Sequence, residues 1–181
     1  MATCKYALSG ITLQCESNRG GLRAIYIANY SEDLLADFRA RVASGDTAAT
    51  QIAATALTAA TVEWHKYEFK RNTASFSQSL QVGDQNAGNY VTTDIVMQFG
   101  RMDTTKRIEM RALTLNEVMV VAVDSNGTAW LFGLDEPVVA SDASGVSGTQ
   151  KSDANMYELH LQANDDSFAF EVTGDLSVLT A

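Results

Sequence analysis

The sequence predicts a mainly β protein with one flanking α-helix, its strands joined in antiparallel hairpins as a sandwich or open barrel. Three observations carry that expectation. Several segments alternate apolar and polar residues with period two, as half-buried strands do. An Asn-Gly pair, Asn126-Gly127, separates two such segments, which is the strongest short hairpin signal. One segment alone, "MDTTKRIEMRALTLNE", combines a cap residue with apolar residues at helical spacing.

Taken in order, "GLRAIYIANY" (Gly21–Tyr30) is rich in branched and aromatic residues and reads as a strand. "SEDLLADF" reads as a short helix, with Ser31 as N-cap and Glu32 and Asp33 where the helix dipole favours acids. Residues Ala43 to Thr61 are different. Eight of these nineteen are Ala and five are Thr, and Ile52 and Leu57 are the only large apolar side chains. Such a segment buries too little to hold itself in place. It is expected to be a long excursion that orders against a neighbouring copy; the alternative is a plain loop.

"VEWHKYEFKR" (Val62–Arg71) and "SFSQSLQV" (Ser75–Val82) alternate, with "RNTA" between them as the expected hairpin turn. In the second of these, Phe76, Leu80 and Val82 share the face expected inward. "NYVTTDIVMQFG" puts Val91, Thr93, Ile95, Met97 and Phe99 on one face. Asp103 then caps the helix, and Ile108, Ala112 and Leu115 are expected to face the core. "VMVVAV" and "TAWLFG" follow as strands. Pro137 is the one proline and marks a turn or a sheet edge. "SDASGVSGTQKSDAN" (Ser141–Asn155) reads as a polar loop. "MYELHLQA" (Met156–Ala163) and "SFAFEVT" (Ser167–Thr173) read as a hairpin joined by "NDD". The sum is roughly seven to nine strands, without a fixed-period repeat. The whole chain, 1–181, is expected to form a single domain.

With 46% apolar residues and 181 positions, the chain can bury a core without staples. Its net charge of −9 argues against nucleic-acid binding through basic contacts and against anionic membranes. It leaves open a surface that DNA passes without sticking. The N-terminus "MATCKYALSG" has no apolar signal core, and the longest apolar run, Val118–Val123, is far too short to span a bilayer. A soluble protein made in the cytosol is expected. The only cysteines, Cys4 and Cys15, are expected to be free thiols, with a small disulfide as second choice. With His65 and His160 they could form a zinc site only if all four converged, and no ligand spacing supports that.

Catalytic patterns are equally weak. His65 and His160 lie within strand patterns. "SGVSG" lacks a strand-to-helix elbow. Asp165–Asp166 and Asp135–Glu136 are neighbouring acids in turns, not carboxylates facing each other across a cleft. "GDQNAGN" (Gly83–Asn89) has no lysine or helix start to make a phosphate cradle. No catalytic, cofactor-binding or metal residue is assigned, and no enzyme is expected. Trp64, Tyr67 and Trp130 could serve a carbohydrate-binding module as stacking platforms, but the tryptophans sit in apolar company that fits core or interface.

"VDSNGTAWLFG" (Val123–Gly133) admits three chemical readings: a calcium loop, a glycosylation sequon and a turn. After Gly127 no carboxylate follows, so calcium fails. The sequon has meaning only in a secreted chain. A type I′ hairpin turn is the expectation left.

"NGTAWLFGLDEP", the loop and hairpin "ASGVSGTQKSDANMYELHLQANDDSFAFEV", "GLRAIYIANY" and "YEFKRNTASFSQSLQ" together resemble the tail-tube-like virion proteins of tailed phages of Bacteroidetes-like hosts. The resemblance covers most of the chain; the Ala/Thr-rich segment at 43–61 stands outside it. It implies a sandwich or open barrel flanked by a helix, in a homo-oligomer of rings, usually hexameric, that stack as a tail tube. Hairpins would line a lumen for the transient passage of DNA during ejection, with other tail or neck proteins as partners and the virion tail as location. Val62–Val82 with Asn89–Gly100 are the hairpins expected to face it, although Lys66 and Lys70 would make that lumen sticky. The Asp103–Glu117 helix would lie outside. Related roles are tail terminator, head–tail connector and capsid decoration.

Overall fold

The computed structural model describes residues 10–11, 18–46, 49–59, 61–83 and 88–180. Ten strands and two α-helices follow one another: β1 (Leu22–Asn29), α1 (Glu32–Ala43), β2 (Gln51–Ala53), β3 (His65–Glu68), β4 (Ala74–Gln81), β5 (Tyr90–Gly100), α2 (Thr104–Leu115), β6 (Val118–Asp124), β7 (Ala129–Phe132), β8 (Val139–Val146), β9 (Met156–Asp165) and β10 (Phe170–Thr173). Short 3-10 turns occupy Ala54–Leu57 and Leu176–Thr180. The strands form a six-stranded sheet, β2-β10-β7-β6-β1-β3, and a four-stranded sheet, β4-β5-β9-β8. All pairs are antiparallel except β2 with β10. The result is a mixed α/β fold with two largely antiparallel sheets, neither closed into a barrel.

The six-stranded sheet is apolar on both faces. Along β1, Ala24, Tyr26 and Ala28 join one core with Leu35 and Phe38 of α1, while Ile25 and Ile27 join a second. That is why "LRAIYIAN" reads as a continuous apolar run rather than an alternation. The second core also holds Ile95, Met97, Leu159 and Leu161 of the four-stranded sheet, and the rings of Phe76 and Phe132 meet at 5.0 Å. The two sheets run across each other. Val118, at the start of β6, bridges to Val138 beside β8, while Gly21, beside the far end of β6, lies against Ala74 of β4.

Several expectations are corrected. β3 and β4 do not form a hairpin. β3 pairs with β1 and β4 with β5, so "RNTA" carries the chain between sheets, with Asn72 in a left-handed conformation (φ 64°). "NDD" is likewise a crossover: β9 and β10 lie in different sheets. Ser141–Val146, expected as loop, belongs to edge strand β8, because pairing with β9 supplies what its small polar residues lack in propensity. α1 is as long as α2 rather than a short piece, and Ser31 makes no side-chain capping bond. Asp103 does cap α2, accepting from Lys106 N at 2.8 Å. The buried face of α2 is Met110 and Leu113, whereas Ile108 and Leu115 are exposed. In β4 only Phe76 of the expected inward trio is partly covered; Leu80 and Val82 are exposed.

The Ala/Thr-rich segment is not an arm reaching outward. Ile52 in β2 pairs with Val172, and Ala49, Ile52, Ala54 and Leu57 are buried in the core beneath α1. Small side chains suit it because the segment packs close against α1 and the C-terminal 3-10 turn. Trp64 closes this core, and its indole donates to the Leu57 carbonyl at 2.8 Å.

At the Asn-Gly hairpin, Gly127 alone takes a left-handed φ, 97°. Gly127 N donates to Asp124 O at 3.2 Å and Asp124 N to Thr128 O at 2.9 Å. The turn is therefore a type I turn followed by a left-handed glycine, not type I′. Asp124 does not reach for an ion: its Oδ1 accepts from Asn126 N and Thr128 N and holds the turn.

Candidate functional site

The sequence points to no constellation of catalytic side chains, and the most distinctive surface of the fold lies on one of the sheets. The four-stranded sheet differs from the other in having one face that no other described element covers. Register assigns its residues. β4 contributes Ser75, Ser77, Ser79 and Gln81; β5 contributes Tyr90, Thr92, Asp94, Val96 and Gln98. β9 contributes Glu158, His160, Gln162 and Asn164, and β8 contributes Val139, Asp142 and Ser144. No Lys or Arg occurs among these positions. The charged groups are three carboxylates, Asp94, Asp142 and Glu158.

At its centre the face is tied by side-chain bonds. Gln98 Nε2 donates to Glu158 Oε2 at 2.5 Å, and His160 Nε2 lies 3.1 Å from Glu158 Oε1. The His160 bond, then the Gln98 bond, hold the Glu158 carboxyl below its usual range. Thr92 Oγ1 donates to Asn164 Oδ1 at 3.2 Å. Asp142 sits directly across from His160. This is a polar, weakly acidic, cross-linked surface.

Among the described residues no further strand pairs with either border of this sheet, although α2 packs against β8. β4 and β8 are each eight residues long and lie at opposite borders. β4 has no charged residue and β8 has one, Asp142. The one irregularity is a bulge between Ala140 and Asp142. Exposed edges of this kind are templates for pairing with another chain.

The expected lumen hairpins are therefore rearranged. β5 and β4 belong to the uncovered face, but β3, with Lys66, lies in the other sheet, and Lys70 lies in the link between the two. His65 and His160 stand in different sheets and cannot share a site; Cys4, Cys15 and residues 84–87 lie outside the described residues. Trp64 is 4% exposed and cannot serve as a stacking platform. Trp130 packs against the second core, and the Tyr67 hydroxyl donates to Glu109 Oε1. Burial, then the Glu109 bond, push the Tyr67 phenol well above its usual range. Among the described residues no cluster of His, Cys, Asp and Glu could hold a metal ion, and no helix is long and apolar enough to cross a membrane.

Asp165 also departs from its expected exposed turn. It is 6% exposed and accepts from Asp135 N at 2.9 Å and Gly133 N at 3.4 Å, while Asp135 Oδ2 accepts from Asp166 N at 3.0 Å. These acids lock two inter-sheet connections together. Burial pushes the Asp165 carboxyl up, against the pull of its amide donors. The open β8 edge was hidden from sequence reasoning by its Ser, Asp and Gly content; the small residues Ala140 and Ala143 at its inward positions were the available signal.

Compared with protein-family models, curated proteins and solved structures, the chain matches none.

Proposed function

We propose that this chain is a virion structural protein that assembles edge to edge into rings, which stack as a phage tail tube for genome delivery. On this reading the two sheets and flanking helices form a sandwich of the tail-tube type. The four-stranded sheet lines the lumen. The observation that carries the reading is that this sheet combines a face without Lys or Arg with open edges on both sides.

The edges fit each other. β4 runs antiparallel to β5, β5 to β9 and β9 to β8. β4 and β8 therefore point in opposite directions. A second copy, rotated about an axis along the strands, brings its β8 beside β4 and continues the antiparallel alternation. Such a heterologous contact closes a ring when the rotation divides a full turn; the resemblance implies six copies. A polar, acidic lumen repels phosphates and lets DNA pass, where cations would hold it. A terminator or connector would share the ring and differ in not stacking.

The test is negative-stain microscopy with sedimentation velocity on the purified protein and on Leu80→Pro. Thr73 O accepts from Gln98 N, so by alternation the even residues of β4 turn their N–H groups to the open edge. Proline at Leu80 removes an outward donor and leaves the β4–β5 ladder whole. The parent is expected to form rings with a central hole and the variant folded monomers. A monodisperse monomer from the parent at high concentration sinks the reading.

A further inference from the structure

Beyond the ring edges, the two ends of the four-stranded sheet differ in charge and shape. At the end where β5 begins the buried Asp165 is joined to Asp135, and Asp135 to Asp166, by the bonds described above, and Glu136 and Asp166 are exposed. Beside them Phe168 is 53% exposed, although the neighbouring Ala169 N is held by Gln78 Oε1 at 3.4 Å. Arg39 reaches the Leu134 carbonyl at 2.6 Å and donates also to the Tyr30 hydroxyl at 2.7 Å. This end is an acidic knob with an aromatic tip.

The opposite end, where β5 finishes, is its complement. A cleft of about 320 Å3 opens between β3 and α2, lined by the apolar side chains of Tyr67, Phe99, Met110 and Leu113 and by the carboxylates Glu68 and Glu109. Lys66 and Lys106 stand at its rim, paired with Glu68 and Asp103. Beyond Phe99, Phe69 (ring centroids 5.5 Å apart) borders a wider hollow that holds Arg19, Arg23 and Arg71. Among the described residues no carboxylate lines that hollow, and all three arginines are exposed. In a chain of net charge −9, the three arginines of the hollow are a local basic group, set beside a cleft whose lysines are matched by Glu68 and Glu109.

We infer that the cleft between β3 and α2 receives the Phe168 turn of a second copy of this chain, with the acids beside that turn facing the arginine hollow. The contact runs along the strand direction, so it joins copies end to end rather than side by side. It rests on the ring reading for its place in a tube, where it becomes the ring-to-ring contact. Like-charged ends repel, so the same charges that favour head-to-tail stacking reject the inverted ring. Such a heterologous contact does not close on itself, which is what an extendable stack requires.

The experiment compares Phe168→Ala, an acid-end reversal (Glu136→Lys with Asp166→Lys) and a basic-end reversal (Arg23→Glu with Arg71→Glu). All five side chains are exposed, and thermal melts check that each variant folds. Each alone is expected to form single rings and to lose stacks, read by microscopy and sedimentation. Mixing the two reversal variants is expected to restore stacks, because each then presents ends complementary to the other. Stacks in all three variants matching the parent overturn the proposal, as does a mixture that fails to stack. The same variants in a Leu80→Pro background separate the two readings. End-to-end chains of single subunits that vanish with Phe168→Ala support this contact even if the parent forms no rings. Absence of both rings and end-to-end chains from the parent overturns both.

Discussion

The two sheets solve the problem of edges and faces in opposite ways. The six-stranded sheet is covered on both faces and ends in β2, of three residues, and β3, of four, the latter carrying Lys66 and Glu68. Short, charged borders prevent pairing with other chains. The four-stranded sheet leaves one face uncovered and ends in two eight-residue strands that carry one charge between them. One sheet is committed to two cores and the other to one. Burial and protection go together because a sheet committed to a core gains nothing from open edges.

The largest test of that contrast is Leu57→Ala. Leu57 is fully buried in the core beneath α1. If the 49–57 stretch is core, urea denaturation should show a loss of about 2–5 kcal/mol; a loss near zero would return this segment to the role of an outward arm. Deleting Ala43–Thr61 should accordingly prevent folding rather than leave an assembly-deficient monomer.

Next comes Gly127→Ala, in the hairpin that joins β6 and β7. A Cβ there meets nothing within 4 Å, so the cost is that of a left-handed φ alone, about 1–2 kcal/mol. Calcium should not change the melting temperature of either protein; a calcium-dependent rise in the parent would reopen the metal reading of this turn. Smaller still is Ser77→Ala on the uncovered face. Monomer stability should stay within about 0.5 kcal/mol of the parent by the same denaturation assay. A larger loss would mean that this face is covered within the chain itself.

The finest distinction is a pH slope, and the signs differ between two carboxylates. Glu158, on the uncovered face, is held low by His160 and Gln98. Its contribution is present above the unfolded value, about 4.3, and is lost as pH falls through the lower folded value. Asp165, between the sheets, is pushed up by burial. Its contribution is present below about 3.9 and is lost as pH rises through the higher folded value. Glu158→Gln should therefore flatten the acid-side loss, and Asp165→Asn should remove a decline that sets in as pH rises above about 3.9, both read from urea midpoints across pH. The same sign of change in both variants would contradict the assigned environments.

The elements themselves were largely legible. The alternation of Val91 to Phe99 is the inward face of β5, and Asp103 caps α2. Faces failed where a second partner intervened. Ile108, Ala112 and Leu115 have the better helical spacing, yet Met110 and Leu113 are buried, because the approach of the sheet and not the spacing selects the stripe. Ser141–Val146 looks like a loop in isolation and is an edge strand beside β9. The candidate surface was half visible: β4 and β5 were identified, but their partners were β9 and β8 rather than β3.

Composition and local pattern by themselves determined that this chain is rich in antiparallel strands, acidic overall, and marked by a tight Asn-Gly turn. Those properties follow from side-chain periodicity and backbone preference, which act over a few residues. Only the tertiary structure decided which strands share a sheet, because "RNTA" and "NDD" can turn a hairpin or cross between sheets with the same local chemistry. That choice separates Lys66 from the uncovered face, buries Asp165, and puts β4 and β8 at the borders of their sheet. These are matters of long-range burial and charge placement, set by contacts between residues far apart in the chain.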